Sequence, residues 1–231
     1  MVGVVVTEDV YQPQQDSRLL VDALARRTCV AGRRVADLCT GSGVVAITAA
    51  QLGADTVVAV DICPLAVRAT EVNARTAGVT VQPRLGSWTQ ALECGPFDLV
   101  TCNPPYVPVG PVGPDGPDGS GGDRAVTPPA GRADAWNGGQ DGRLILDPLC
   151  ASAAAMLSRG GVLLLVQSEI AGIERSLDLL RESGLHAEIC ATQRIPLGPV
   201  LQSQSDWLHV TGRLVPGDVT EKLVVIRAVK R

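Results

Sequence analysis

Apolar positions along the chain switch repeatedly between a spacing of three to four residues and short continuous runs, which predicts helices alternating with buried strands. Leu20, Ala23 and Leu24 share one face of a helix that Asp16 can cap and that runs to about Arg27. Val35 to Cys39 reads as a strand, followed by a glycine turn and a helix from Val44 to Leu52. Thr56 to Asp61 is a second buried strand, and Pro64 opens a helix that ends at Gly78. Short strands are predicted near Val79 to Leu85 and Asp98 to Cys102, then a helix from about Arg143 to Leu157 and a strand at Val162 to Val166. Ile173, Leu177 and Leu180 mark one more helix, ended by Gly184, before strands at Ala187 to Ala191 and Leu223 to Val229. Repeated βα units with β-branched, wholly apolar strands imply a mainly parallel sheet with helices on both faces.

Two segments break this rhythm. Val107 to Gly122 is almost entirely Pro, Gly, Val and Asp, which suits neither helix nor strand and predicts a mobile loop, either a passive insertion or a working lid. Pro196 to Val219 is expected to be a polar hairpin connection. With 231 residues, 45% of them hydrophobic, the chain can bury a full core, and it is read as one domain, with residues 1–30 as an N-terminal segment and helix and 107–140 as a flexible loop beside the site.

Charge and cysteine usage narrow the function classes. A net charge of −4 gives no basic footprint for gripping phosphates, so a nucleic acid is not expected as a stable partner. The seven cysteines include no C-x-x-C pair and are expected to be buried, reduced thiols of a cytoplasmic protein. Neither His186 nor His209 has a ligand-spaced neighbour, so no metal site is expected. The N-terminus lacks the basic region of a signal peptide, and no stretch approaches the ~20 apolar residues of a membrane span.

The chemistry concentrates at the ends of the predicted strands. Asn103-Pro104-Pro105-Tyr106 directly follows a strand, where open α/β sheets bind ligands. Pro-Pro alone is a rigid turn. The whole quartet also offers an Asn oxygen and a proline carbonyl that can accept both hydrogens of an NH2 group, beside a Tyr106 ring that can stack on a planar amide or base. Earlier in the chain, Gly41 and Gly43 allow a tight strand-to-helix turn, and Asp61 ends the next strand 18 residues after Gly43, placed to receive ribose hydroxyls. The glycine spacing by itself also fits a dinucleotide fingerprint, and Asp37 and Asp61 could equally cap the turn and the following helix. Asp37, able to receive an ammonium, together with the quartet favours S-adenosylmethionine over a nicotinamide cofactor.

These residues resemble the HemK-type protein glutamine methyltransferases, which modify the Gly-Gly-Gln glutamine of translation release factors. The resemblance runs from Tyr11 to about Gly184 through Tyr11-x-Pro13-x-x-Asp16-Ser17, Asp37 to Gly43, Asp61, Gly86-Ser87-Trp88, Asn103 to Tyr106, and Ala135 to Gly142. It implies a class I S-adenosylmethionine-dependent methyltransferase, a Rossmann-like fold whose seven-stranded, mainly parallel sheet ends in an antiparallel hairpin. By the resemblance Asp37, Gly41 and Gly43 hold the methionine end, Asp61 the ribose, and Ser87 and Trp88 flank the adenine, although an indole is also ordinary core. Ser17 lies near the cofactor, and Asn103, Pro104, Pro105 and Tyr106 bind the glutamine amide. Cys39 stands where the family usually has its first glycine and Ser87 where it has an acidic residue, two departures that bear on cofactor affinity. The bacterial enzymes' N-terminal helical domain has no counterpart here, which aligns the chain with short relatives, some of which need a small partner protein. Gly138-Gly139-Gln140 spells the substrate motif by coincidence. The rival functions are amino methylation of adenine or guanine in RNA or DNA, and a non-catalytic S-adenosylmethionine-binding scaffold.

Overall fold

A computed structural model describes residues 10–110 and 135–231. The strands are β1 (Arg34–Leu38), β2 (Thr56–Asp61), β3 (Gln82–Leu85), β4 (Phe97–Cys102), β5 (Leu157–Ser168), β6 (Leu185–Pro196) and β7 (Thr220–Lys230). All seven join one sheet in the order β3-β2-β1-β4-β5-β7-β6. The first five are parallel, whereas β7 runs antiparallel to both β5 and β6. Strand order reverses between β1 and β4, and the crevice at their carboxyl ends is where such sheets bind ligands.

The helices α1 (Gln15–Arg27), α2 (Val44–Gln51), α3 (Pro64–Thr76), α4 (Gln90–Cys94), α5 (Leu146–Met156) and α6 (Ile173–Glu182) connect and flank these strands. α6 forms because its apolar residues fall on one stripe: it buries Ile173, Leu177 and Leu180 and leaves its charges outside. In β2, Val57, Val58, Ala59 and Val60 are all buried because helices cover both faces. A predicted alternation of in and out would have been wrong for this strand, and the continuous apolar run was the correct signal.

Three expectations change. Asp16 does not cap α1: Gln14 is the cap residue, and Asp16 lies inside the first turn with its carboxylate turned inward onto side-chain hydroxyls. The connection from Pro196 to Val219 is not a polar hairpin. It holds two short helices, α7 (Pro199–Ser203) and α8 (Ser205–Val210), around a satellite core of Ile170, Leu197, Leu201, Leu208 and Leu214. The leucines there are spaced too irregularly among polar residues for a periodicity test to register them. Finally, of the segment expected to be a flexible loop, residues 111–134 lie outside the described residues, but its two flanks are tied together. Val107 N–H donates to the Trp136 carbonyl at 3.0 Å and Gly138 N–H to the Val107 carbonyl at 2.9 Å.

Candidate active site

A cavity of about 260 Å3 opens at the carboxyl ends of β1, β2 and β4. One wall starts at Asp37, the fourth residue of β1, which is 2% exposed. The Thr40 hydroxyl donates to its Oδ2 at 2.6 Å and the Thr101 hydroxyl, from β4, to its Oδ1 at 2.7 Å. Burial pushes the Asp37 carboxyl up to about 6, against the opposing pull of the two hydroxyls. No Lys or Arg lies within ion-pair distance among the described residues, so only hydrogen-bond donors offset the burial of this carboxylate.

The loop after β1 is held from behind. The Thr70 hydroxyl and the Asn73 side-chain amide, both on α3, donate to the carbonyls of Gly41 and Ser42 at 3.0 and 2.9 Å. From β2, Asp61 accepts the Gly41 N–H through Oδ2 and the Cys63 N–H through Oδ1, each at 2.9 Å. Burial raises its carboxyl above the ordinary range. The Ile62 N–H also bonds this carboxylate, which leaves about one of its four acceptor positions. Gly41 has φ +54° and nothing within 4 Å of where a side chain would begin, so it leaves room for a ligand. Gly43 serves a different end: a Cβ there would lie 2.8 Å from the Thr70 methyl, so it permits α2 and α3 to meet rather than lining the cavity.

Cys39 adopts φ +55°, the left-handed conformation that a glycine would take without strain, and its half-buried side chain lines the cavity. The expectation of wholly buried thiols therefore holds for Cys102 and Cys150 only, although all seven cysteines are free. Across the cavity stand Ile62, Ser87 and Trp88. Trp88 is partly packed on the main core and also lines the cavity. Ser87 spends its hydroxyl locally, on the Thr89 side chain and N–H.

The acceptor side is built around the quartet. β4 stops at Cys102 because the two prolines supply no N–H to a ladder. Tyr106 is 9% exposed, and its hydroxyl donates to Asp16 Oδ2 at 3.1 Å. Burial and the nearby Asp16 carboxylate push the phenol well above its usual value. Asn103 donates through Nδ2 to the Ser17 hydroxyl at 3.4 Å, while no hydrogen bond engages its Oδ1 among the described residues. Behind the quartet, an added Cβ on Gly142 would sit 2.5 Å from the Tyr106 carbonyl oxygen.

Of the residues singled out in the sequence, Ser17, Asp37, Cys39, Gly41, Asp61, Ser87, Trp88 and Asn103 to Tyr106 all line this one cavity. Gly43 alone stands behind it. Sequence reasoning missed Tyr11, Asp16, Thr40, Ser42, Ala135 and Trp136, which also line it. All six belong to quoted motifs, and that was their available signal. Thr70 and Asn73 left none, because they act from a helix face that periodicity reads as ordinary packing. Among the described residues no His, Cys, Asp and Glu cluster could hold a metal, and no helix is long and apolar enough to cross a membrane.

The donor set fits S-adenosylmethionine: an uncompensated buried carboxylate for an ammonium, an open glycine loop, a second carboxylate at the end of β2, and an aromatic slot. Fold and site together define a class I S-adenosylmethionine-dependent methyltransferase. A profile of the ribosomal protein L11 methyltransferase (PrmA) family matches residues 18–104, which cover β1 to the quartet. A Methanocaldococcus jannaschii chain named a protein N5-glutamine methyltransferase is 30% identical over 81% of this chain and 87% of its own length. The Rhodospirillum rubrum release factor glutamine methyltransferase is 36% identical over 67% of this chain, which spans about half of that longer protein, 46%. The solved Mtq2-Trm112 complex of E. cuniculi, which methylates the eRF1 termination factor, matches with a TM-score of 0.61 at 23% identity, covering 96% of this chain and 99% of that one. The chain belongs to the protein N5-glutamine methyltransferase family.

Proposed function

We propose that this enzyme methylates the side-chain amide nitrogen of a protein glutamine, and that its substrate is the Gly-Gly-Gln glutamine of a peptide chain release factor in the cytoplasm. The observation that carries this reading is the state of Asn103, whose Nδ2 is engaged by Ser17 while Oδ1 stays available to accept from an incoming NH2. The likeness to a glutamine methyltransferase covers 81% of the chain, against residues 18–104 for the L11 methyltransferase profile.

Bound in the cavity, S-adenosylmethionine supplies an already activated methyl group, so the chain's own task is placement. Asp37, Gly41 and Asp61 hold the cofactor side, with Ser87 and Trp88 beside the base. Asn103 Oδ1 and the Pro104 carbonyl accept the two amide hydrogens, which directs the nitrogen lone pair and favours its more tetrahedral form. Pro105 keeps that backbone rigid, and the Tyr106 ring stacks on the amide plane. The acidic balance of the chain disfavours nucleic acid as the acceptor.

The test is incubation with labelled S-adenosylmethionine and, separately, a release factor and structured RNA, with the label mapped by mass spectrometry. Label on the Gly-Gly-Gln glutamine is expected, and its loss by about a hundredfold in Asn103→Ala with cofactor affinity kept. Label on RNA alone would overturn the reading. Turnover by the chain alone would dispense with the small activating partner that the family resemblance implies.

A further inference from the structure

Both tyrosines of the chain, Tyr11 and Tyr106, donate to the same atom, Oδ2 of Asp16, at 2.9 and 3.1 Å. The other oxygen, Oδ1, takes the backbone N–H and, at 3.2 Å, the side-chain hydroxyl of Ser17. That hydroxyl in turn accepts Asn103 Nδ2. Asp16 and Ser17 are 5% and 4% exposed, so water competes little for these bonds. One carboxylate on the first turn of α1 is thus joined to both acceptor-side side chains of the quartet, Tyr106 directly and Asn103 through Ser17.

We infer that Asp16 is a positioning residue for methyl transfer: through Ser17 it selects which end of the Asn103 amide faces the cavity, and through the phenol it fixes the Tyr106 ring. An Asn side chain can present either its oxygen or its NH2. Because the Ser17 hydroxyl hydrogen is committed to Asp16, the Ser17 oxygen is left as an acceptor, which matches Nδ2 and turns Oδ1 toward the cavity. Without Asp16 the hydroxyl can donate to Oδ1 instead, the amide can turn over, and an NH2 would then meet the NH2 of the incoming group. A helix cap would not need this arrangement, and Asp16 is not the cap. Glu221 of β7, buried at 6% exposure, is a further acidic group near the two phenols, but its hydrogen bonds go to Ser168 and the Gly198 backbone, and both phenols donate to Asp16.

The inference rests on the proposed glutamine reaction, and the experiment separates the two. In the full chain, Asp16→Asn keeps the shape but presents an NH2 to one of its two sets of donors. It is expected to lower kcat about 20-fold or more with the cofactor Kd within about threefold. Ser17→Ala should lower kcat about tenfold, and Ser17→Thr, which restores the hydroxyl, should recover most of it. Tyrosine labelled with 13C at Cζ gives one signal each from Tyr11 and Tyr106. Both should move in Asp16→Asn and stay in place in Ser17→Ala. Normal kcat in Asp16→Asn, or unmoved tyrosine signals, would overturn the inference while leaving the function intact. A wild-type chain that modifies no glutamine would instead overturn the proposed reaction and this positioning role with it, the tyrosine signals still reporting whether the shared carboxylate bond exists.

Discussion

A Cβ added to Gly138 would approach within 2.8 Å of both the Cα and the carbonyl carbon of Tyr106. The segment carrying Gly138 is therefore the back wall of the acceptor quartet, held there by the 3.0 Å bond from Val107 N–H to the Trp136 carbonyl and the 2.9 Å bond from Gly138 N–H back to Val107. The contacted atoms are backbone, so a methyl group can be accommodated only by moving the quartet. Gly138→Ala is expected to cost about 1–3 kcal/mol of stability and to lower kcat about tenfold or more, with cofactor affinity retained. Unchanged kcat in a folded variant would show that the quartet does not depend on this wall.

The titration of Asp37 links pH to both stability and binding. Its carboxyl lies at about 6 in the folded chain against 3.8 for the free group, so the folded state holds its proton more tightly. Stability from this group is full below the free value and falls as pH rises through about 6, a loss on the order of 3 kcal/mol in the ligand-free chain. The cofactor's ammonium should pair with the ionised form, so its affinity is expected to weaken about tenfold per pH unit below 6. Calorimetric titrations from pH 5 to 8 check this. Asp37→Asn should lose both the affinity and its pH dependence, and should narrow the stability difference between pH 5 and 8. A flat affinity profile in the wild-type chain would remove Asp37 from the ammonium site.

Much of this site was legible because it combines strong local signals with one topological rule. Thr56 to Asp61 was bounded correctly because the buried run Val57 to Val60 is framed by the polar, half-buried Thr56 and Asp61. Asn103 to Tyr106 was placed at a strand's carboxyl end because proline terminates a ladder wherever the strand sits in the sheet. What failed to show depends on distance in sequence. Asp16 read as a cap because a carboxylate near a helix start commonly is one, and only the fold brings Tyr106, 90 residues away, to its oxygen. Gly43 read as a cofactor glycine because the turn required it, whereas its tight neighbour is Thr70 on the next helix. The satellite core under α7 and α8 was hidden for the same reason: its partner Ile170 lies beyond β5, far from the leucines it covers.

Cys39 stores backbone strain beside the cofactor wall. A non-glycine residue in the left-handed region costs about 1–2 kcal/mol, part of which a glycine would return as extra freedom of the unfolded chain. Cys39→Gly is therefore expected to raise stability by roughly 0.5–1 kcal/mol, seen as a Tm about 1–4 °C higher. Cys39→Val should lower it, since a β-branched side chain fits that region worst. Thermal denaturation of the two variants decides the matter, and equal Tm values would mean that the turn relaxes freely.

Asp61 ties the loop after β1 to the start of the loop after β2. Its two oxygens hold backbone N–H groups of Gly41 and Cys63, with the Ile62 N–H also on the carboxylate, which leaves about one acceptor position for a ligand hydroxyl. Removing the carboxylate therefore has two separable effects. The ligand-free chain should lose about 1–2 kcal/mol, because two amides that were bonded to a charged acceptor must find water or go unpaired. Cofactor binding should weaken by about 1.5–3 kcal/mol, roughly 10- to 150-fold, through lost charge-assisted bonds to the ribose and a less ordered loop. Asp61→Ala measures the sum of the binding effects. Asp61→Asn retains one carbonyl acceptor, so it should lie between wild type and Ala in affinity. Chemical denaturation gives the first effect and calorimetry the second. Asp61→Ala with lowered stability but unchanged cofactor affinity would confine Asp61 to bracing the loop and move the ribose contact elsewhere along the wall.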